Sequence, residues 1–181
     1  RGRVTAKANQ ESTVLSTQEG NFKIDSQSEI QLQSENGLPT EVRLNQGNAK
    51  IVKNDGSLQD LAPQQVASFD EKSTWAVASI DKNVQLHGPD VKKVYITSSS
   101  KAAVPLSWKG PAQKILLKKS STESTTPKVS QIQVGQKKQS TDLKLEEGNY
   151  SVALVTPEGR SETQWIQVIR IEPLKVFSPK D

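Results

Sequence analysis

Apolar and polar residues alternate along this chain in short bursts, and turn-forming residues separate the bursts. Phe22-Lys23-Ile24 and Ile30-Gln31-Leu32 open the series, and a period of two marks strands with one buried face. Val42 and Leu44 share a face, as do Ala49 and Ile51, with Gly47 allowing a bend between them. Asn54-Asp55-Gly56-Ser57 predicts a hairpin turn with positive φ at both central positions, Asp55 and Gly56. Leu61 precedes Ala62-Pro63, and proline, which lacks a ladder donor, predicts a sheet edge or corner there. Val66 to Phe69 resumes the extended pattern. From Trp75 to Leu86 the chain stays extended and then meets a turn cluster, His87-Gly88-Pro89-Asp90.

A second series follows, with Val94 and Ile96; Val104, Leu106 and Trp108; Ile115 and Leu117; Ile132 and Val134; Leu143 and Leu145; Tyr150, Val152 and Leu154; then Trp165 to Ile171. About seven strands at this spacing fit a sandwich. No stretch carries the 3.6-residue period of a long amphipathic helix. Arg1 to Ser12 and Ser120 to Lys128 lack the alternation and stay outside the predicted strands, Ser120 to Pro127 reading as a polar loop. The fold class is therefore all-β, with two domains: a small β-domain over residues 1–86 and a β-sandwich over 87–181.

Composition agrees with that class. Only 33% of the 181 residues are hydrophobic and 4% aromatic, which suits thin aliphatic cores with one solvated face. The absence of cysteine excludes a disulfide scaffold, a thiolate metal site and a cysteine nucleophile. No Met opens the chain, so it reads as a piece of a longer protein, and membrane anchoring would come only through flanking segments. No apolar run within it approaches the roughly 20 residues of a membrane span. Charge divides unevenly: residues 1–86 hold 9 basic and 11 acidic side chains, residues 87–181 hold 15 and 9. The lysines come as scattered pairs, Lys92-Lys93, Lys118-Lys119 and Lys137-Lys138, without interleaved aromatics to stack bases. The second half is thus expected to carry a solvated basic face and not to bind nucleic acid.

Leu145, Gly148, Tyr150 and Val152 stand in the order L-x-x-G-x-Y-x-V. Gly148 allows a tight arch, and Tyr150 can bury its ring while its hydroxyl bonds backbone upstream. With Pro157-Glu158-Gly159 as the next turn and Trp165 to Val168 as the last strand, this resembles the final strand pair of immunoglobulin-like and fibronectin type III-like sandwiches. The cysteine pair of antibody domains is absent, which implies a disulfide-free repeat. Upstream, Val42, Leu44, Gly47, Ala49 and Ile51, followed by Leu61, Gln65, Val66 and Ala67, resemble the second half of a FecR-like extracytoplasmic domain. That resemblance covers roughly Thr13 to Asp70. Gln64 departs from it, since the family often has glycine there, and implies a turn open to a non-glycine residue. The pairing resembles bacterial envelope proteins, including those of spirochetes, and implies a periplasmic location. Leu174 to Asp181 repeats the apolar-then-proline entry pattern of Asn83 to Asp90, so residues 173–181 read as the lead into a further repeat.

Reactive chemistry finds little support. His87 is the only histidine, and no G-x-S-x-G elbow accompanies it. Ser120 to Lys128 holds serine and lysine together but in a polar loop. Asp70-Glu71 and Glu146-Glu147 fall in turns, where adjacent carboxylates do not face each other across a cleft. There is no calcium loop, zinc spacing or phosphate-cradling glycine loop, so neither metal nor cofactor is expected. Asn149-Tyr150-Ser151 matches a glycosylation sequon, which in a bacterial protein would be a chance match.

Trp108 and Trp165 are expected in the core. Trp75 either plugs the domain interface or stands exposed as a sugar or protein contact, and sugar binding would require an exposed Trp75 or Trp165 beside polar side chains such as Gln64 and Gln65. Lys92 and Lys93 complete the candidate contact residues, and Tyr150, Gly148, Trp108, Trp165 and Gly47 the structural set. The resulting expectation is a non-enzymatic envelope module for protein–protein contact, scaffolding or signal relay. Its partners would be other envelope proteins or peptidoglycan, and the alternative reading is a carbohydrate- or peptidoglycan-binding module.

Overall fold

The computed structural model of the chain describes residues 2–17, 19–35, 38–69, 74–88, 94–120, 128–135 and 137–172. Every regular element among them is a strand. Nine build the first half: β1 (Gly2–Ala8), β2 (Thr13–Ser16), β3 (Asn21–Ile24), β4 (Ser28–Glu35), β5 (Leu38–Gln46), β6 (Ala49–Val52), β7 (Leu58–Leu61), β8 (Gln65–Phe69) and β9 (Trp75–Ser79). They form a five-stranded sheet, β1-β4-β5-β8-β9, and a four-stranded sheet, β2-β3-β6-β7. Phe22, Ile24, Ile30, Val42, Leu44 and Ile51, all fully buried, fill the space between them. Alternation along each strand places these side chains on inner faces.

The second half holds β10 (Gln85–Gly88), β11 (Val94–Thr97), β12 (Ala102–Lys109), β13 (Lys114–Lys119), β14 (Lys128–Gln133), β15 (Ser140–Leu145), β16 (Gly148–Val155) and β17 (Gln164–Arg170). A three-stranded sheet, β10-β12-β15, faces a five-stranded sheet, β11-β17-β16-β13-β14. Pairing is antiparallel except for β11 with β17. A separate core of Val104, Leu106, Trp108, Ile115, Val152 and Leu154 lies between these sheets.

Several expectations need correction. The polar opening is not irregular: β1 pairs with β4 over its whole length, because the backbone ladder and the inward Ala6 and Ala8 suffice for an edge strand. His87 and Gly88 lie in β10, which pairs with β12 through a bulge, and not in a turn. Val84 already belongs to the second core, so the passage between cores occupies Ile80 to Asn83, upstream of the expected break at Leu86 and His87. At Asn54 to Ser57 only Gly56 has positive φ, at 80°. Gly56 N–H donates to Lys53 O at 2.9 Å, and Asp55 Oδ1 accepts from Ser57 N–H at 2.8 Å. A turn with one left-handed glycine at its end closes this hairpin instead of two left-handed centres.

Candidate functional site

The outer faces of two sheets meet, and the meeting joins the two sandwiches. On the first sandwich, Glu41 of β5 and Ser68 of β8 are register partners, so their side chains stand side by side. On the second, Lys118, Ser151 and Trp165 form one row across β13, β16 and β17. Their neighbours Leu117, Val152 and Ile166 point into the core, so this row faces outward.

Lys118, buried, sends its ammonium to Ser68 Oγ at 3.2 Å and Phe69 O at 3.3 Å. Arg160 donates to Glu41 Oε1 at 2.9 Å, the two side chains keeping only 7% and 11% of their exposure. Arg43 pairs with Glu162 toward the rim. Buried charges of this kind hold only when paired and hydrogen-bonded. Among the described residues the seam therefore brings together two arginine–glutamate pairs and a lysine held by a hydroxyl and a backbone carbonyl.

The connecting segment is held as firmly. Ile80 N–H donates to Gln64 O at 2.7 Å and Asp81 N–H to Arg160 O at 2.8 Å, while Arg160 N–H returns a bond to Ser79 O at 2.9 Å. Both Asp81 carboxylate oxygens are engaged, one by Asn83 N–H and one by the Thr156 hydroxyl, each at 2.8 Å. Beside the seam lies an open groove of about 440 Å³, lined by Asp81, Lys82, Leu86, Glu162 and Gln164 among others. Gln164 Nε2 bonds Leu86 O across it at 3.1 Å.

The expected contact residues are not assembled. Trp75 is 9% exposed and packs edge-on against Phe22 and Phe69, at 4.8 and 5.0 Å between ring centroids. It belongs to the first core, neither plugging the domain interface nor offering a ring to solvent. A shallow cleft of about 370 Å³ borders it, shared with Lys53, Asn54, Asp55, Phe69 and Thr74. Gln64 and Gln65 sit at the opposite end of the β8–β9 hairpin, because Gln65 pairs with Ser79 and Phe69 with Trp75. Four residues of strand separate them, roughly 13 Å. Gln65 Oε1 instead accepts from Ala62 N–H at 2.8 Å and closes its own turn. Lys92 and Lys93 lie outside the described residues.

Trp108 is 3% exposed within the second core. Trp165 is equally buried yet lies outside that core, in the outward row that faces the first sandwich. Trp75 thus belongs to a core, as Trp108 does, whereas Trp165, expected in the core, lies on the outward face of its sheet. Alternation alone gives the period of Trp165 but not which face a neighbouring domain covers. Tyr150 is buried, and its hydroxyl donates to Glu146 O at 3.0 Å. Gly148, with φ of 145°, opens β16 beside that ring. Gly47, with φ of 81°, presses on Ser28 so closely that a Cβ would collide with it.

The seam residues Glu41, Arg43, Ser68, Lys118, Arg160 and Glu162 escaped sequence reasoning. Lys118, one of a lysine pair expected on a solvated face, is buried instead, and its outward position in β13, where a charge is ordinary, gives no sign of that. Among the described residues no three His, Asp or Glu side chains gather as metal ligands. No family model, curated protein or solved structure matches the chain.

Proposed function

We propose that this chain is a non-enzymatic interaction module of a bacterial envelope, holding or relaying contact between proteins in the periplasm. One observation carries the reading. The outer face of the β11–β17 pair presents Val94, Ile96, Ile169 and Ile171 to solvent together, with Ile96 and Ile169 direct register partners. Exposed aliphatics gathered on one face mark a contact surface more often than isolated ones do. β11 is also an edge strand whose four residues carry no charge, whereas edges left unpaired are usually blunted by charged residues. A partner strand or sheet face fits such an edge.

The resemblances point the same way. The β10-β12-β15 against β11-β17-β16-β13-β14 arrangement, with Tyr150 bonded to backbone four residues upstream, supports an immunoglobulin-like reading of the second sandwich. Gln64 occupies the left-handed conformation in which a glycine is at ease, at φ of 65°. This supports a FecR-like reading of the first sandwich, where the family often has glycine. Fold alone does not assign a role, so the function rests on the surface.

The test compares the parent chain with Ile96→Lys/Ile169→Lys as bait against a detergent-solubilised envelope fraction. A discrete protein retained by the parent and lost from the variant is the expected result. Equal retention by both chains sinks the surface assignment. Retention of either chain on purified sacculi would replace it with the wall-binding reading.

A further inference from the structure

We infer that the two sandwiches form one rigid, cooperatively unfolding body, latched through Glu41, Ser68, Lys118 and Arg160 and without a hinge between them. Two-domain chains usually meet through small polar interfaces and flex by default. Here three features oppose flexing, and none of them depends on what the module binds.

The first feature is backbone. Hinges are a few residues able to absorb large φ and ψ changes. Ile80 and Asp81 spend their N–H groups on Gln64 and Arg160, one in each sandwich, and Arg160 N–H bonds Ser79 O in return. Turning the joint breaks these bonds together.

The second feature is close approach. A Cβ at Gly159 would collide with the Ser79 carbonyl, and one at Gly110 with the Asn83 carbonyl. Second-sandwich backbone is therefore in direct contact with both ends of the connecting segment, and Gly159 at φ of 155° and Gly110 at φ of 93° permit it. Backbone packed against backbone leaves no room at either end for a hinge to move.

The third feature is buried charge. Opening the seam strands the Arg160 guanidinium, the Glu41 carboxylate and the Lys118 ammonium from partners that now hold them. A partly opened seam leaves these groups in an imperfect environment, so intermediate angles are disfavoured relative to the closed one.

The chain has no cysteine, so a Lys23→Cys/Lys144→Cys variant takes two spin labels at exposed strand positions, one in each sandwich. Electron–electron distance measurement is expected to give one narrow distribution, and calorimetry one unfolding transition. A broad or multimodal distribution, or two separated transitions, overturns the inference. In the same background Gly159→Ala, which wedges Ser79 away, is expected to broaden the distribution at least twofold. If that variant does not fold, Glu41→Gln keeps the backbone clear and is expected to broaden it too. An unchanged narrow distribution in whichever variant folds overturns the latch. Loss of envelope binding in Ile96→Lys/Ile169→Lys with the distance intact would separate this outcome from the function proposed above.

Discussion

At the scale of single residues, Gln64 carries a cost that its sequence does not announce. Its φ of 65° lies in the left-handed region, where a Cβ crowds the following carbonyl by about 1–2 kcal/mol. The expectation of a turn friendly to a non-glycine residue is thereby corrected: the turn is fixed by Gln64 O accepting from Ile80 N–H and Gln65 Oε1 accepting from Ala62 N–H, and Gln64 tolerates it. Gln64→Gly is therefore expected to stabilise the chain by about 0.5–1 kcal/mol, after the entropy glycine adds to the unfolded state. A urea midpoint unchanged or lowered would contradict this. Tyr150 offers the opposite case. Burial pushes its phenol up, against the pull of Lys119, and its hydroxyl holds the Glu146 carbonyl. Tyr150→Phe keeps the ring and loses that bond, so a loss of about 1–1.5 kcal/mol is expected.

At the scale of elements, strands with a regular period were legible and strands without one were not. β3, β5, β6, β12 and β16 announce themselves because inner residues such as Phe22, Leu44, Ile51, Leu106 and Val152 recur at every second position. β1 hides because only the small Ala6 and Ala8 of its inner face are covered, and β10 hides because a bulge at Leu86 and Gly88 shifts its register beside two turn-like residues. Nothing local distinguishes the seam either: Glu41, Arg43 and Ser68 look like ordinary solvated positions of their strands until a second sheet lies over them. One element-scale contact lends itself to titration. Lys119 of β13 bonds Glu146 at the β15–β16 arch, Nζ to Oε2 at 3.1 Å. That hydrogen bond, with the charges of Lys119, Lys101 and Lys128, holds the Glu146 carboxyl below its ordinary range. A lowered carboxyl stabilises the fold fully above the unfolded-state value and ceases to do so as pH falls through the folded one. Glu146→Gln should therefore lower the urea midpoint at neutral pH and converge on the parent in acid. A gap that persists in acid would assign the effect to packing instead.

At the scale of the whole molecule, the question is what the seam contributes once both cores exist. Each sandwich has its own buried aliphatic cluster, so the seam is added to two folded halves and its chemistry is mostly polar. A buried ion pair seldom stabilises more than well-packed apolar residues of similar size, yet removing one partner strands the other. Arg160→Ala leaves Glu41 buried beside Ser68 with no guanidinium, and a loss of about 3 kcal/mol is expected. Arg160→Met/Glu41→Leu removes both charges at similar volume and is expected to fall within about 1 kcal/mol of the parent chain. The comparison is informative because the partners lie 119 residues apart in sequence, so local propensity cannot couple them. A double variant as unstable as the single one would mean that Arg160 acts mainly through its contacts around Ser79 and Asp81 and that the ion pair is incidental. A single variant as stable as the parent would mean that Glu41 reaches water when Arg160 is removed, and with it that the seam opens far more readily than its buried charges imply.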